Sequence, residues 1–180
     1  MKQPLLRRKE RVLEHQGSIL DIYSDYMELP DGKVEKWDYV EHRKGAAAGI
    51  PVLPNGKILM VRQYRNALNR FTLEIPAGSR DSVTEPTIEC ASRELEEETG
   101  YRCDNLEFLL SLRTTVAFCN EMIDVYVARD LIPSKQHLDE GEYIELEEHE
   151  LSELCELVYQ GVIQDGKTVA AILAYKNKYC

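Results

Sequence analysis

The amino-acid sequence predicts an α+β fold in which a mixed β-sheet lies between helices. Strand-like segments come first, one helix interrupts them near residue 90, and two helices close the chain. Turn residues separate these segments, and their order is typical of a single layered domain. With 180 residues the chain is long enough to bury a core without disulfides or a structural metal.

Two hairpins are predicted in the first part of the chain. Strand-like runs at about 18–29 and 34–42 flank the turn tripeptide Pro30-Asp31-Gly32. A second pair, AAAGIPVL and KILMVRQY, meets at Pro54-Asn55-Gly56, which favours another tight turn. The segment FTLEIPAG then predicts a short strand that ends at Pro76.

A loop from Gly78 to Thr84 leads into a predicted helix from Glu85 to Thr99, which Gly100 closes because glycine readily adopts the left-handed conformation that ends helices. Further strands are predicted at LEFLLSL, around Thr114, and at MIDVYVA and YIELEE. SELCELVYQG predicts a helix that ends at Gly161. The helical spacing of apolar residues in KTVAAILAYKNKY predicts the last helix.

Composition excludes several classes of partner. The formal net charge of −10 disfavours a nucleic-acid polymer, because phosphate backbones bind clustered Lys and Arg. The five cysteines are scattered without a CxxC spacing, which favours a reduced, cytoplasmic chain. No apolar stretch suits a secretory signal or a membrane span, so we expect no membrane partner. A small phosphate ligand remains compatible with this charge, since local groups and bound metal govern such a site.

The stretch RELEEETGY, residues 93–101, places four glutamates and one arginine in nine positions. A solvated helix face is one interpretation. On a helix, however, Glu94, Glu97 and Glu98 share a face while Glu96 points aside. At about 5.5 Å and an effective dielectric near 20, each pair of carboxylates repels by roughly 3 kcal/mol. A hard divalent cation such as Mg²⁺ or Mn²⁺ is therefore the second interpretation, and because residues 93–101 include no His or Cys the stretch does not suit Zn²⁺.

The longer segment EIPAGSRDSVTEPTIECASRELEEETGY resembles the Nudix box. The positions in register are Glu85, Arg93, Glu94, Leu95, Glu97, Glu98, Gly100 and Tyr101. One departure is present: six residues separate Gly78 from Glu85, where the pattern has five. The insertion falls in the loop, where it is better tolerated than in the helix, but it leaves open how closely the Gly78 loop follows family geometry.

The resemblance implies a Nudix-type α/β/α sandwich with a mixed sheet. It also implies that Glu94, Glu97 and Glu98 bind Mg²⁺, or Mn²⁺, with the carbonyl of Ala77 as a further ligand. Arg93 would brace the loop and helix by pairing with Glu85. The residues expected to act in catalysis are therefore Glu97, Glu98 and Arg93, together with a base discussed below.

Flanking segments resemble the ADP-ribose pyrophosphatase branch of the family. These segments are EIPAG, VRQYR and ELVYQGVIQDGKTVAAILA. The expected activity is Mg²⁺-dependent hydrolysis of the pyrophosphate bond of ADP-ribose to AMP and ribose 5-phosphate. A broader nucleoside-diphosphate-sugar pyrophosphatase and a catalytically silent nucleotide-binding module are the alternatives.

The same resemblance assigns expected substrate contacts. Arg65 of VRQYR would reach the phosphates, Glu74 of EIPAG would lie near the metals, and the Gly78 loop would lie beside the pyrophosphate. Taken without the family, Arg65 is more simply an exposed strand residue. Glu140 aligns best with the glutamate that deprotonates water, and Glu142 comes next, although any glutamate in this acid-rich stretch also fits plain surface.

A second departure lies in TTVAFCNEMIDVY. Val116-Ala117 stands where relatives carry Pro-Gly, ahead of the expected substrate contact Glu121. The loss of that turn chemistry is expected to reshape the pocket on the ribose side. Substrate preference would then shift, for example towards another nucleotide sugar.

The N-terminal region is expected to serve dimerisation and the adenine side of the site. Residues 1–42 would form a hairpin region and residues 43–180 the Nudix hydrolase domain. The family implies a homodimer with exchanged hairpins, in which Trp37 stacks on adenine. For Asp38, next to Trp37, one interpretation is a contact with the base edge. The other interpretations are a half-buried core or interface aromatic for Trp37 and a water-facing carboxylate for Asp38.

Overall fold

The computed structural model describes residues 5–180, and it begins with a three-stranded antiparallel sheet in the order β1-β2-β3. The strands are β1 (Arg7–Gln16), β2 (Leu20–Glu28) and β3 (Val34–His42). The predicted hairpin of β2 and β3 is confirmed, and Gly32 takes the left-handed conformation at its turn, with φ of +84°. Strand β1 was not predicted, because its sequence RRKERVLEHQ is mostly charged and almost entirely exposed.

The prediction of a second hairpin is wrong in its pairing. Strands β4 (Ala46–Pro51) and β5 (Ile58–Arg65) form as expected, but they belong to different sheets and share only the isolated bridge between Val52 and Ile58. Every residue of β4 is buried. A strand covered on both faces suits the middle of a mixed sheet.

The central mixed sheet has the order β7-β4-β10-β9. Its other strands are β7 (Ala77–Ser79), β9 (Leu106–Arg113) and β10 (Met122–Ala128). Strand β10 runs parallel to β4 and antiparallel to β9. The run around Thr114 was predicted to be a strand, but it forms a turn. Strand β7 lies at the edge of this sheet and follows directly from the segment Glu74-Ile75-Pro76. It contributes Ala77 and Gly78 to the candidate site.

Smaller sheets flank the central one. One has the order β12-β5-β6, and two short strands, β8 and β11, form another. The bounds of these strands are β6 (Arg70–Glu74), β8 (Tyr101–Arg102), β11 (Ile132–Pro133) and β12 (Ile144–His149). A short 3₁₀ turn at Asn66–Leu68 joins β5 to β6.

Three helices complete the described chain: α1 (Thr87–Thr99), α2 (Leu151–Tyr159) and α3 (Gly166–Tyr179). Gly100 ends α1 with φ of +71°, as predicted, and its N–H donates to the carbonyl of Glu96. At the start of α3, Asp165 accepts a hydrogen bond from the N–H of Thr168, which caps the helix.

The helices cover opposite faces of the central sheet, which confirms the α+β class and the helix–sheet–helix layering. Ala91 of α1 packs with Ala47 and Tyr126, whereas Leu154 of α2 and Ile172 of α3 pack with the residues on the other face of β4 and β10. Alternate residues of a strand point to opposite faces, so one sheet supplies both cores. Between residues 5 and 180, no helix is long and apolar enough to cross a membrane.

Candidate active site

The last two turns of α1 carry three carboxylates next to β7. Glu98 is almost fully buried, and its Oε2 accepts a hydrogen bond of 3.0 Å from the N–H of Ala77. The carboxylate of Glu94 lies against Gly78, so closely that a Cβ atom on Gly78 would lie 2.1 Å from it. Glu96 points aside and contacts the hydroxyl of Ser134 instead. The predicted shared face of Glu94, Glu97 and Glu98 is therefore present.

Arg93 connects this carboxylate group to the loop. Its Nη1 donates to Glu94 at 2.7 Å and to Glu97 at 3.0 Å, and its Nη2 donates to the carbonyl of Ser79 at 3.1 Å. Its Nε lies 3.4 Å from Glu85, so the expected pair exists. Arg93 therefore bonds both Glu94 and Glu97. Residues 5–180 contain no preformed group of three or more His, Cys, Asp or Glu side chains that could hold a metal ion.

The electrostatics of the group nevertheless favour a cation. Burial, together with the charges of Glu94 and Glu142, raises the pKa of Glu98 to about 8. Burial also raises the pKa of Glu94 to about 7, despite the hydrogen bond from Arg93. Burial disfavours the charged form of a carboxyl group, so both groups retain protons closer to neutral pH than an exposed glutamate does. Clustered carboxylate oxygens of this kind are suitable ligands for a hard divalent cation.

A cavity of about 370 Å³ opens beside these carboxylates. Glu142 lines it and is held by a hydrogen bond of 2.8 Å from Nε2 of Gln63 on β5. Glu140 is exposed and does not line this cavity. The structure thus places the second of the two aligned glutamates at the carboxylate group.

A larger cavity of about 680 Å³ adjoins the first, and both are lined by Arg65, Ala77, Gly78 and Ser79. One part of its wall is charged and comes from the ends of β5 and β6 and the start of α3. Another part is mainly apolar and comes from the N-terminal sheet and the loop after β9. Together the two cavities form a cleft that leads from carboxylates past cationic groups to an apolar wall.

Arg65 is fixed at the junction of the two cavities by Glu74. Its Nε and Nη2 donate to the two oxygens of Glu74 at 2.8 and 2.6 Å, which leaves Nη1 without a protein acceptor among the described residues. Burial alone would raise the pKa of Glu74, but Arg65 and Lys167 together lower it to about 2. The bidentate pair holds the plane of the guanidinium in one direction.

Lys167 is the residue that sequence reasoning missed in this network. It is 8% exposed, contacts Glu74, and donates to Asp165 at 2.9 Å. The available signal was Asp165-Gly166-Lys167-Thr168 at a helix start, where an N-cap aspartate fixes the first turn. The cap thereby positions a buried lysine at the cavity.

Glu121 lines the larger cavity as well, and its carboxylate lies 3.6 Å from Nε2 of the buried His42. The N–H of Gly45 donates to Nδ1 of the same ring at 2.9 Å. Trp37 and Asp38 line neither cavity of the single chain. Trp37 is 42% exposed, and its indole N–H donates to Glu35 at 3.5 Å.

Comparison with known proteins supplies the family. A model described as NUDIX domain matches residues 43–172. The chain is 39% identical over 166 residues to an ADP-ribose pyrophosphatase of Bacillus subtilis, covering 91% of this chain and 88% of that protein. It is 40% identical over 158 residues to a methanol dehydrogenase activator of Bacillus methanolicus, covering 87% and 84%. A crystal structure of an ADP compounds hydrolase shares the fold, with a TM-score of 0.86, 20% identity, and coverage of 98% of this chain and 94% of that one.

Proposed function

The chain belongs to the Nudix family of hydrolases, and from that premise we propose that it hydrolyses the pyrophosphate bond of ADP-ribose to AMP and ribose 5-phosphate. The carrying observation is the continuous cleft in which Arg65, Ala77 and Gly78 line both the carboxylate cavity and the larger cavity. A volume of about 680 Å³ suits a small nucleotide ligand. The extended similarity to an ADP-ribose pyrophosphatase supports this substrate.

Glu94, Glu97 and Glu98, with the carbonyl of Ala77, would hold a divalent cation, which we take to be Mg²⁺ with Mn²⁺ as a substitute. Such an ion neutralises phosphate charge and acidifies a bound water. The chain's own part is to present deprotonated carboxylates at fixed positions. Arg93 fixes these positions because it donates hydrogen bonds to Glu94, to Glu97 and to the carbonyl of Ser79.

Other residues would bind and orient the substrate. Arg65 directs its free Nη1 towards the pyrophosphate, and Glu74 holds that direction. The missing side chain of Gly78 allows close approach of the backbone. Glu121 would contact the ribose side of the substrate from the wall of the larger cavity.

Glu142 is the residue we propose as the base that takes a proton from the attacking water. It lines the carboxylate cavity, whereas Glu140 is exposed outside it. A general base has to lie within hydrogen-bond reach of its proton in the bound complex. Glu140 therefore serves as the natural comparison for Glu142.

We also propose that the enzyme is a cytoplasmic homodimer, divided into an N-terminal region of residues 1–42 and a hydrolase domain of residues 43–180. The N-terminal sheet leaves Leu13, Ile22 and Trp37 between 42% and 49% exposed, which supports association through this region. In an exchanged dimer, Trp37 and Asp38 would contact the adenine of the other subunit. All five cysteines are free thiols, which supports a reducing compartment.

A broader nucleoside-diphosphate-sugar pyrophosphatase is the second candidate. Val116 is 83% exposed in the loop where relatives carry Pro-Gly, and Thr115 and Phe118 of the same loop line the larger cavity. A changed loop at the cavity wall favours a changed sugar preference.

Product release separates these candidates. The purified protein with Mg²⁺ is given ADP-ribose, ADP-glucose, GDP-mannose, diadenosine polyphosphates and nucleoside triphosphates, with Glu97→Gln as the inactive control. AMP release preferentially from ADP-ribose supports the first proposal. Comparable turnover of the other nucleotide sugars supports the second, and binding without turnover would identify a silent nucleotide-binding module.

A further inference from the structure

Phe118 is the one Phe, Tyr or Trp side chain that lines the larger cavity in the described part of the chain. Its side chain is half exposed, at 49%. It belongs to none of the buried core clusters and pairs with no other aromatic ring between residues 5 and 180. Core packing therefore does not account for its position.

The loop that carries Phe118 is fastened to the N-terminal sheet. The N–H of Val40 donates to the carbonyl of Phe118 at 2.7 Å, and the N–H of Asn120 donates to the carbonyl of Val40 at 3.3 Å. The side chain of Asn120 in turn accepts from the N–H of His42 at 2.7 Å. Backbone pairing on both sides of Cys119 fixes where the ring enters the cavity.

The wall around the ring is apolar. Ile19, Leu20 and Val40 line the same cavity, and the first two are 54% and 37% exposed in the single chain. Arg65, which we propose binds the phosphates, and Lys167 line the charged part of the same cavity. A ligand that places a flat apolar group against this wall would therefore place its anionic part at Arg65.

We propose that Phe118 is a specificity-determining residue that stacks on the nucleobase of the substrate. The inference rests on the proposed function and deepens it, because it adds to Trp37 a base contact from the same chain as the carboxylates. Aromatic faces stack on every base, so the ring selects a nucleotide over a sugar phosphate without selecting strongly among bases. Base selection would then depend on polar groups elsewhere in the cleft.

The test compares two ligands that differ by the base, AMP and ribose 5-phosphate, by calorimetric titration with Mg²⁺ present. Phe118→Ala should weaken AMP binding by about tenfold or more, in keeping with measured base–aromatic stacking, and leave ribose 5-phosphate unchanged. Phe118→Tyr should retain AMP binding because it keeps a ring. Phe108→Ala is the matched control, since Phe108 is also 49% exposed and does not line the cavity.

Equal weakening of both ligands, or no change for AMP, would overturn the inference. Failure of wild-type protein to bind AMP would overturn it as well. If Phe118→Ala does not fold, Phe118→Leu replaces it, because leucine retains apolar bulk without a stacking face. The same result is expected: weaker binding of AMP and unchanged binding of ribose 5-phosphate. Should wild-type protein bind AMP but not hydrolyse ADP-ribose, the proposed function fails while the AMP comparison still decides the role of Phe118.

Trp37→Ala distinguishes the two aromatic candidates. If Trp37 alone stacks on the base, this change weakens AMP binding and Phe118→Ala does not, which contradicts the proposal. If Phe118 stacks on the base, Phe118→Ala weakens AMP binding whatever the result at Trp37.

Discussion

Gly78→Ala is expected to separate activity from folding. The added Cβ atom would lie 2.1 Å from the carboxylate carbon of Glu94, whereas ordinary contact begins at 3.4 Å. One of the two groups therefore has to move by about 1.3 Å. Because the Glu94 carboxylate is the far end of a flexible side chain, it yields more easily than the backbone of β7 or α1.

The magnitudes follow from that displacement. A misplacement near 1 Å in a catalytic group costs about 10²-fold in rate, so kcat/KM with Mg²⁺ should fall by roughly that factor. The fold should lose only about 1 kcal/mol, the low end of the cost of overpacking. For a chain of this length, that corresponds to a fall in Tm of about 2–4 °C.

The assay pairs AMP release from ADP-ribose with thermal unfolding. Gly49→Ala is the matched control, since Gly49 also lies in a strand without a positive φ and its added Cβ would meet nothing within 4 Å. Glu94→Asp should partly restore activity to Gly78→Ala, because a shorter side chain withdraws the carboxylate from the new methyl group. Full activity of Gly78→Ala would refute the reasoning, since Glu94 would then not need its place beside Gly78.

Three further outcomes are expected. Glu142→Gln should lower kcat by about 10²-fold or more and Glu140→Gln by little, as steady-state rates at saturating Mg²⁺ will measure; the reverse order would move the base to Glu140. The pKa of Glu98 is raised from 4.5 to about 8 in the folded metal-free protein, so between these two pH values the folded state binds a proton that the unfolded state has lost. The free energy of unfolding therefore falls as pH rises from 4.5 to about 8. The gain in Tm on adding Mg²⁺ should therefore grow between about pH 6 and 8, and a pH-independent gain would contradict this titration. Lys167→Met should raise the KM for ADP-ribose more than it lowers kcat, with Lys167→Arg closer to wild type, because Lys167 holds Glu74; an unchanged KM would leave Lys167 a purely structural role.

Local signals in the sequence were sufficient for α1 and its carboxylates. Helical spacing fixed the shared face of Glu94, Glu97 and Glu98, and Gly100 marked the end of the helix because it alone supplies the left-handed turn. The pairing of the strands was harder to predict from the sequence. Pro54-Asn55-Gly56 indicates a turn but not whether the strands on either side pair, and burial of β4 between two helical layers decides that they do not.

The choice between Glu140 and Glu142 could not be made from the sequence, since both lie in an acid-rich loop. In the structure, the one long-range hydrogen bond of the Glu142 carboxylate comes from Gln63, which is 79 positions away in the described chain. Lys167 was missed for the same reason, because its partner Glu74 is 93 positions away. Long-range pairing, rather than composition, creates both features.

The position of the carboxylates on α1 argues that binding of a cation and folding are coupled. Acidic side chains stabilise the N-terminal end of a helix and oppose the partial negative charge of its C-terminal end, yet Glu97 and Glu98 lie in the last turn before Gly100. Arg93 offsets part of this charge, but burial and the charges of neighbouring glutamates still raise the pKa values of Glu94 and Glu98. A cation that binds the folded chain alone would supply the remainder and stabilise it by mass action. Removal of divalent ions with a chelator should therefore lower the Tm of the wild-type protein, and Glu97→Gln should reduce that dependence because it removes one of the opposing charges.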